Sequence, residues 1–130
     1  MNKLIIPIII VLALAALAGC GRRSDLGYKQ ISADKAKEMM DAGGVTVVDV
    51  RRADEYAQGH IPGAILLPNE TIGEEALERL PNKEETLLVY CRSGNRSKAA
   101  AQTLAGLGYK NVYEFGGIID WPYETAEGEG

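Results

Sequence analysis

Only two cysteines, one histidine, one tryptophan and one phenylalanine occur in this 130-residue chain. So few sulfur and imidazole donors exclude a zinc site of cysteines and histidines, which brings three or four ligands together. No metal and no cofactor is expected. Positive charge is also scarce, with 14 Lys and Arg against 18 Asp and Glu and a net charge of −4. That balance excludes the broad basic face of a nucleic-acid binder. There is no internal repeat, and after residue 18 there is no second long apolar run. The length bounds the chain to one domain with one modest core.

The single long apolar run stands at the start. Met1, Asn2 and Lys3 carry one cation, and Leu4 to Ala18 follow without a charge, interrupted only by Pro7. The run is shorter than the roughly 20 residues a bilayer-spanning helix needs, and its small-residue end suits cleavage. Leu17-Ala18-Gly19-Cys20 resembles the lipobox of bacterial lipoproteins. The resemblance implies a lipoprotein signal peptide over residues 1–19, an acyl anchor on Cys20, and a place on the periplasmic side or cell surface. Gly21, where an aspartate would mark inner-membrane retention, argues by the same resemblance against that retention. An uncleaved N-terminal anchor is the alternative, and it too puts the rest of the chain outside the cytoplasmic membrane. Losing Lys3 makes the remainder one unit more negative, so membrane attachment would rest on the acyl group and not on a polybasic face. Residues 20–27 read as a lipidated tether.

Two cysteines in an oxidising compartment suggest a disulfide. A thioether on Cys20 would remove that option and leave Cys91 unpaired, which points to reactivity.

Beyond the tether, strand and helix signals alternate. Tyr28 to Ile31 suits an edge strand, and Ser32 is a good N-cap for a helix with Ala36, Met39 and Met40 at helical spacing, stopped by Gly43-Gly44. "VTVVDV" (45–50) has the pattern of a strand buried on both faces. One helical turn is expected at 54–58, a short strand at 65–67, and a helix at 74–80 with Ala76, Leu77 and Leu80 on its inner side. "TLLVY" (86–90) is the second central strand, a helix runs from Ser97 to Leu107, and "NVYEF" is the last strand before a turn and helical stub. Residues 125–130 read as a disordered acidic tail. The alternation predicts an α/β fold with a largely parallel sheet covered on both faces.

Cys91 stands directly after "TLLVY", at the edge where open α/β sheets bind ligands. The loop "CRSGNR" leads into a helix, whose first amides have no intrahelical partners and whose dipole adds partial positive charge. A thiolate is stabilised there without a histidine beside it. Gly94 lets the loop curl, and Arg92 and Arg96 add full cationic charge although arginines at a helix start oppose its dipole. The pattern is a cradle for an anion with a nucleophile at its floor. The competing reading makes Cys91 a small core residue following a buried strand.

"VVDVRRADEYAQGHIPGAILLP", "VYCRSGNRSKAAAQTL" and "EFGGIIDWP" together resemble the rhodanese domain of sulfurtransferases, over about residues 28–124. The resemblance implies a rhodanese-like fold with about five mainly parallel strands and helices on both faces. It implies that Cys91 takes up a sulfane sulfur as a persulfide, with Arg92, Ser93, Gly94, Asn95 and Arg96 around it. Asp49, Arg51 and Glu55 fall in the family's "DVR…EY" motif and are expected to form an ion-pair network beside that loop. A catalytic carboxylate at Asp49 and a base at His60 are minor alternatives. Trp121 and Phe115 suit core or pocket wall, and Gly116 to Ile118 suit a backbone passing close to the pocket.

Related phosphatases and arsenate reductases carry one residue more before their arginine, and Ser97 stands at that position here. The shorter loop suits sulfur better than a tetrahedral phosphate. The expected partners are a small anionic sulfur donor such as thiosulfate and a thiol or cyanide acceptor, with a protein acceptor open. A membrane-tethered sulfur carrier serving a partner protein is the alternative from another class. A monomer is expected.

Overall fold

The structure is a computed structural model, and it describes residues 27–129. The signal peptide and nearly all of the tether expected at residues 1–27 lie outside the described residues, as does Cys20.

Five strands form one sheet in the order β1-β5-β4-β2-β3, and every neighbouring pair is parallel. They are β1 (Lys29–Gln30), β2 (Val45–Asp49), β3 (Ile65–Leu66), β4 (Thr86–Cys91) and β5 (Asn111–Gly117). The helices are α1 (Ala33–Ala42), α2 (Ala53–Gln58), α3 (Glu74–Arg79) and α4 (Asn95–Gly106), with 3₁₀ turns at Asn69–Thr71 and Ile118–Asp120. This is the α/β architecture with a parallel sheet that the alternating pattern predicts, and it has the five strands that the resemblance implies.

Side chains of a strand alternate between faces, and the two halves of the core follow that rule. Leu87, Val89 and Cys91 of β4 pack with Val48, Ala76, Ala100, Ala101 and Leu104, beneath α3 and α4. Leu88 and Tyr90 point the other way, among Ala36, Val47, Tyr56, Ile61, Phe115 and Trp121, beneath α1 and α2. The central strand β4 is buried from Leu87 onward, which explains its unbroken apolar sequence.

Several local expectations change. Leu77 is 40% exposed, because the short α3 turns only Ala76 and the following Leu80 inward. Helix α4 begins at Asn95 and not at Ser97: Gly94 takes a left-handed N-cap conformation (φ 110°, ψ −17°), and Lys98 N–H already bonds the Gly94 carbonyl. Gly116 and Gly117 belong to β5 rather than to a turn. The tail expected to be disordered is paired, since His60 and Ala126 exchange two backbone hydrogen bonds of 2.8 Å and Gly128 N–H bonds the Ala57 carbonyl. Backbone pairing needs no apolar side chain, so the polar composition of 125–130 concealed it.

At the other end, Gly27 (φ +88°) lies so close to α4 that a Cβ there would come within 2.9 Å of the Ala105 methyl.

Candidate active site

Cys91 is the last residue of β4, and α4 starts four residues later. The turn Arg92-Ser93-Gly94 therefore joins the C-terminal edge of the central strand to a helix N-terminus. Gly94 is buried and donates its N–H to Cys91 Sγ at 3.0 Å. That amide belongs to the N-cap residue, so it has no helical carbonyl to serve and is free for the sulfur. Cys91 itself is 1% exposed and forms part of the α3/α4 core. Ser93 and Asn95 are exposed above it.

A bulge in the sheet closes the other side of the turn. Val89 pairs with Glu114, but Cys91 pairs with Gly117, so β5 carries one extra residue across that step. Gly116 takes φ +94°, a conformation that favours glycine. Gly117 then lies against the turn: a Cβ on it would stand 2.0 Å from the Arg92 carbonyl oxygen and 2.6 Å from the Ser93 Cα. Only glycine fits this contact. The Arg92 carbonyl also accepts the Ile119 N–H at 3.2 Å, which pins the turn to the segment after β5.

The two arginines of the loop do different things. Arg96 sits on the first turn of α4 and forms a two-pronged pair with Glu55, at 2.7 and 3.0 Å. This pairing leads the influences that hold the Glu55 carboxyl down at about 2, with burial opposing and the Arg52 amide assisting. Arg96, which the resemblance places around the sulfur, thus has its charge matched by Glu55. Arg92 is exposed and forms no ion pair among the described residues. It lines a cleft of about 210 Å³ with Arg51, Glu55, Gln58, Gly59, Ile118 and Ile119.

The network expected from Asp49, Arg51 and Glu55 is divided in two. Asp49 and Arg51, both buried, are joined by a bidentate pair (2.8 and 3.0 Å), and Arg51 also donates to the Gly59 carbonyl at 2.7 Å. The Tyr90 hydroxyl donates to Asp49 at 2.6 Å and accepts the Ile61 N–H at 3.0 Å. Burial and then the Asp49 charge push the Tyr90 phenol up, so it stays protonated as a donor. Glu55 belongs to the other half. It caps α2 by accepting the Arg52 N–H at 2.9 Å and reaches across to Arg96. Asp49 has no open side towards Cys91 to serve as a catalytic carboxylate, because β4 directs Tyr90 and Cys91 to opposite faces.

His60 is 3% exposed, stacked on Tyr56 with ring centroids 3.7 Å apart, and its Nδ1 bonds the Tyr56 carbonyl at 2.8 Å. Its work is structural. Trp121 and Phe115 lie in the α1/α2 core with Tyr90.

Two buried neighbours of the turn were not assigned to the site from the sequence. Glu114, on β5, is 2% exposed and bonded to Ser97 and Gly116 behind the turn; Ser97, on α4, is fully buried. Strand alternation puts Glu114 on the α3/α4 face with Val112 and its register partner Val89, but a carboxylate in that place reads as a break in the apolar pattern and not as a buried contact.

A buried thiol beneath a backbone N–H, at the junction of a parallel strand and a helix, defines a cysteine-loop α/β domain. The comparisons with known proteins agree. The family model described as rhodanese-like domain matches residues 32–122, and the chain belongs to that family. It is 39% identical over 106 residues to thiosulfate sulfurtransferase GlpE of Pseudomonas putida (strain GB-1), covering 78% of this chain and 94% of that protein. The solved rhodanese with anions from E. coli is similar at 34% identity and a TM-score of 0.60, covering 64% of this chain and 98% of that one. The BH2092 protein from Bacillus halodurans is similar at 33% identity and a TM-score of 0.69, covering 81% of this chain and 80% of that one. These relationships support sulfurtransferase chemistry of the general family.

Proposed function

We propose that the protein is a thiosulfate sulfurtransferase acting through a persulfide on Cys91. The observation that carries this reading is the Gly94 N–H held 3.0 Å from Cys91 Sγ at the head of α4. The amide and the helix dipole favour negative charge on sulfur. In the first half-reaction the Cys91 thiolate attacks the outer sulfur of thiosulfate, the S–S bond of the donor breaks, and sulfite leaves with the electron pair. The charge ends on the outer sulfur of Cys91–S–S⁻, near the Gly94 amide that faced the thiolate. In the second half-reaction cyanide or an ionised thiol attacks that outer sulfur and releases the Cys91 thiolate. Such double displacement is nucleophilic catalysis with a covalent intermediate.

Arg92 is the cation we assign to the donor's sulfonate end, since Glu55 occupies Arg96. The short loop and the neutralised Arg96 disfavour phosphoryl chemistry, which needs an unpaired guanidinium facing the phosphate. Mass spectrometry tests the assignment. After thiosulfate treatment the peptide holding Cys91 should gain one sulfur atom, and cyanide should remove it. Cys91→Ser should gain none; sulfur uptake by that variant, or none by the unaltered protein, overturns the reading.

We also propose that Cys20 carries a lipid anchor that holds the domain on a membrane outside the cytoplasm, on the periplasmic side or at the cell surface. The lipobox-like tetrapeptide and the uncharged run before it support this. With the anchor present, the full chain expressed in a bacterium should partition into detergent. Cys20→Ser should move it to the aqueous phase, and an unchanged partition of that variant would dismiss the anchor.

A further inference from the structure

A fully formed carboxylate buried without a cation is costly, and proteins normally pair it. Glu114 is 2% exposed, and its partners are all neutral: Gln30 Nε2 at 3.2 Å, Ser97 Oγ at 2.5 Å and the Gly116 N–H at 2.9 Å. No ion pair involves it among the described residues. These partners belong to β1, α4 and the β5 bulge, so one carboxylate ties three segments together behind the cysteine turn. Ser97 extends the chain of contacts, since its Oγ lies 3.1 Å from the Gly94 carbonyl and 3.3 Å from the Gly116 carbonyl. Gly94 is the residue whose N–H meets Cys91 Sγ.

We propose that Glu114 is a positioning residue for the Cys91 loop: through Ser97 and Gly116 it orients Gly94 so that its N–H points at the Cys91 sulfur. Its relevance to turnover rests on the sulfurtransferase reading, while the aim of the Gly94 N–H does not. The Gly94 N–H and the Gly94 carbonyl lie in successive peptide planes hinged at a Cα that has no side chain to steady it. Holding the residue through Ser97 and against Gly116 constrains where its N–H points. A hydrogen bond is strongly angle-dependent, so releasing the brace rotates the donor off the sulfur.

Three variants test this: Ser97→Ala, Glu114→Leu and Glu114→Gln. Each is first confirmed folded by urea unfolding; Ser97→Ala removes a single oxygen and keeps the test available should Glu114→Leu fail to fold. The first readout is hydrogen exchange at the Gly94 amide by nuclear magnetic resonance, which requires no activity. Exchange should quicken about tenfold or more in Ser97→Ala and Glu114→Leu. Glu114→Gln, whose carbonyl can still accept from Ser97 and Gly116, should stay near the unaltered protein. The second readout is single-turnover sulfur uptake from thiosulfate. The rate per folded molecule should fall about 10- to 100-fold in the first two variants, comparable with the removal of one aimed donor from an active site. Half-saturation for thiosulfate should stay within about threefold, because Arg92 is untouched.

Unchanged Gly94 exchange in the folded variants, or a Glu114→Gln as impaired as Glu114→Leu, overturns the proposal. An unaltered protein that takes up no sulfur, with the exchange pattern as expected, removes the sulfurtransferase reading and leaves the brace standing.

Discussion

At the scale of single residues, the charges around the site act in pairs, and the pairing decides their roles. Glu55 is the clearest case. Its carboxyl titrates at about 4.5 when the chain is unfolded, and the Arg96 pair chiefly holds it down at about 2 in the folded protein. A carboxyl lowered by folding lends stability that is present above its unfolded value and is lost as pH falls towards its folded value. Stability should therefore drop between about pH 4.5 and pH 2, and Glu55→Gln should flatten the curve across that window. Urea unfolding at a series of pH values checks it; an equal fall in both proteins would deny the pair its role. The sequence made Glu55 and Arg96 visible as motif residues. It did not show that they meet, because a contact between α2 and α4 depends on how the helices lie over the sheet.

Elements were easier to read than contacts between them. The β-branched run at 45–50 and the apolar run at 86–90 announced the two central strands, and Ser32 caps α1 as its position suggested, accepting the Lys35 N–H at 3.0 Å. The site's closing wall was harder. Gly116 and Gly117 signal a special backbone, yet whether it is a turn or a bulge depends on the register of β5 against β4. The bulge gives Gly117 a role that no larger residue can fill. Gly117→Ala should force the Arg92-Ser93 turn away from β5, because the clash is with backbone that cannot swing aside. Sulfur uptake should fall more than about tenfold and stability by about 1–3 kcal/mol. A variant with normal uptake would mean that the turn can relocate without losing the Gly94 contact.

Across the whole molecule, alternation of strand and helix was enough to predict the parallel sheet, and position at the carboxyl edge was enough to single out Cys91. The tail was missed because composition speaks only to side-chain burial. Truncation after Glu124 removes three backbone hydrogen bonds to residues 57 and 60. It should cost about 1–3 kcal/mol, reduced by the entropy the ordered tail no longer surrenders. A urea midpoint equal to that of the full chain would show that the strap contributes nothing.

Because β1 runs parallel to its neighbours, the chain enters the sheet at the rim where every strand begins, and Gly27 rests there beside the far end of α4. The Cys91 sulfur stands at the opposite rim, roughly the 18 Å length of that twelve-residue helix away. Were Cys20 anchored as proposed, the attachment would lie behind the domain, on the side away from the Cys91 turn. A donor from open solution would then reach the Arg92 side without squeezing between the domain and its mooring.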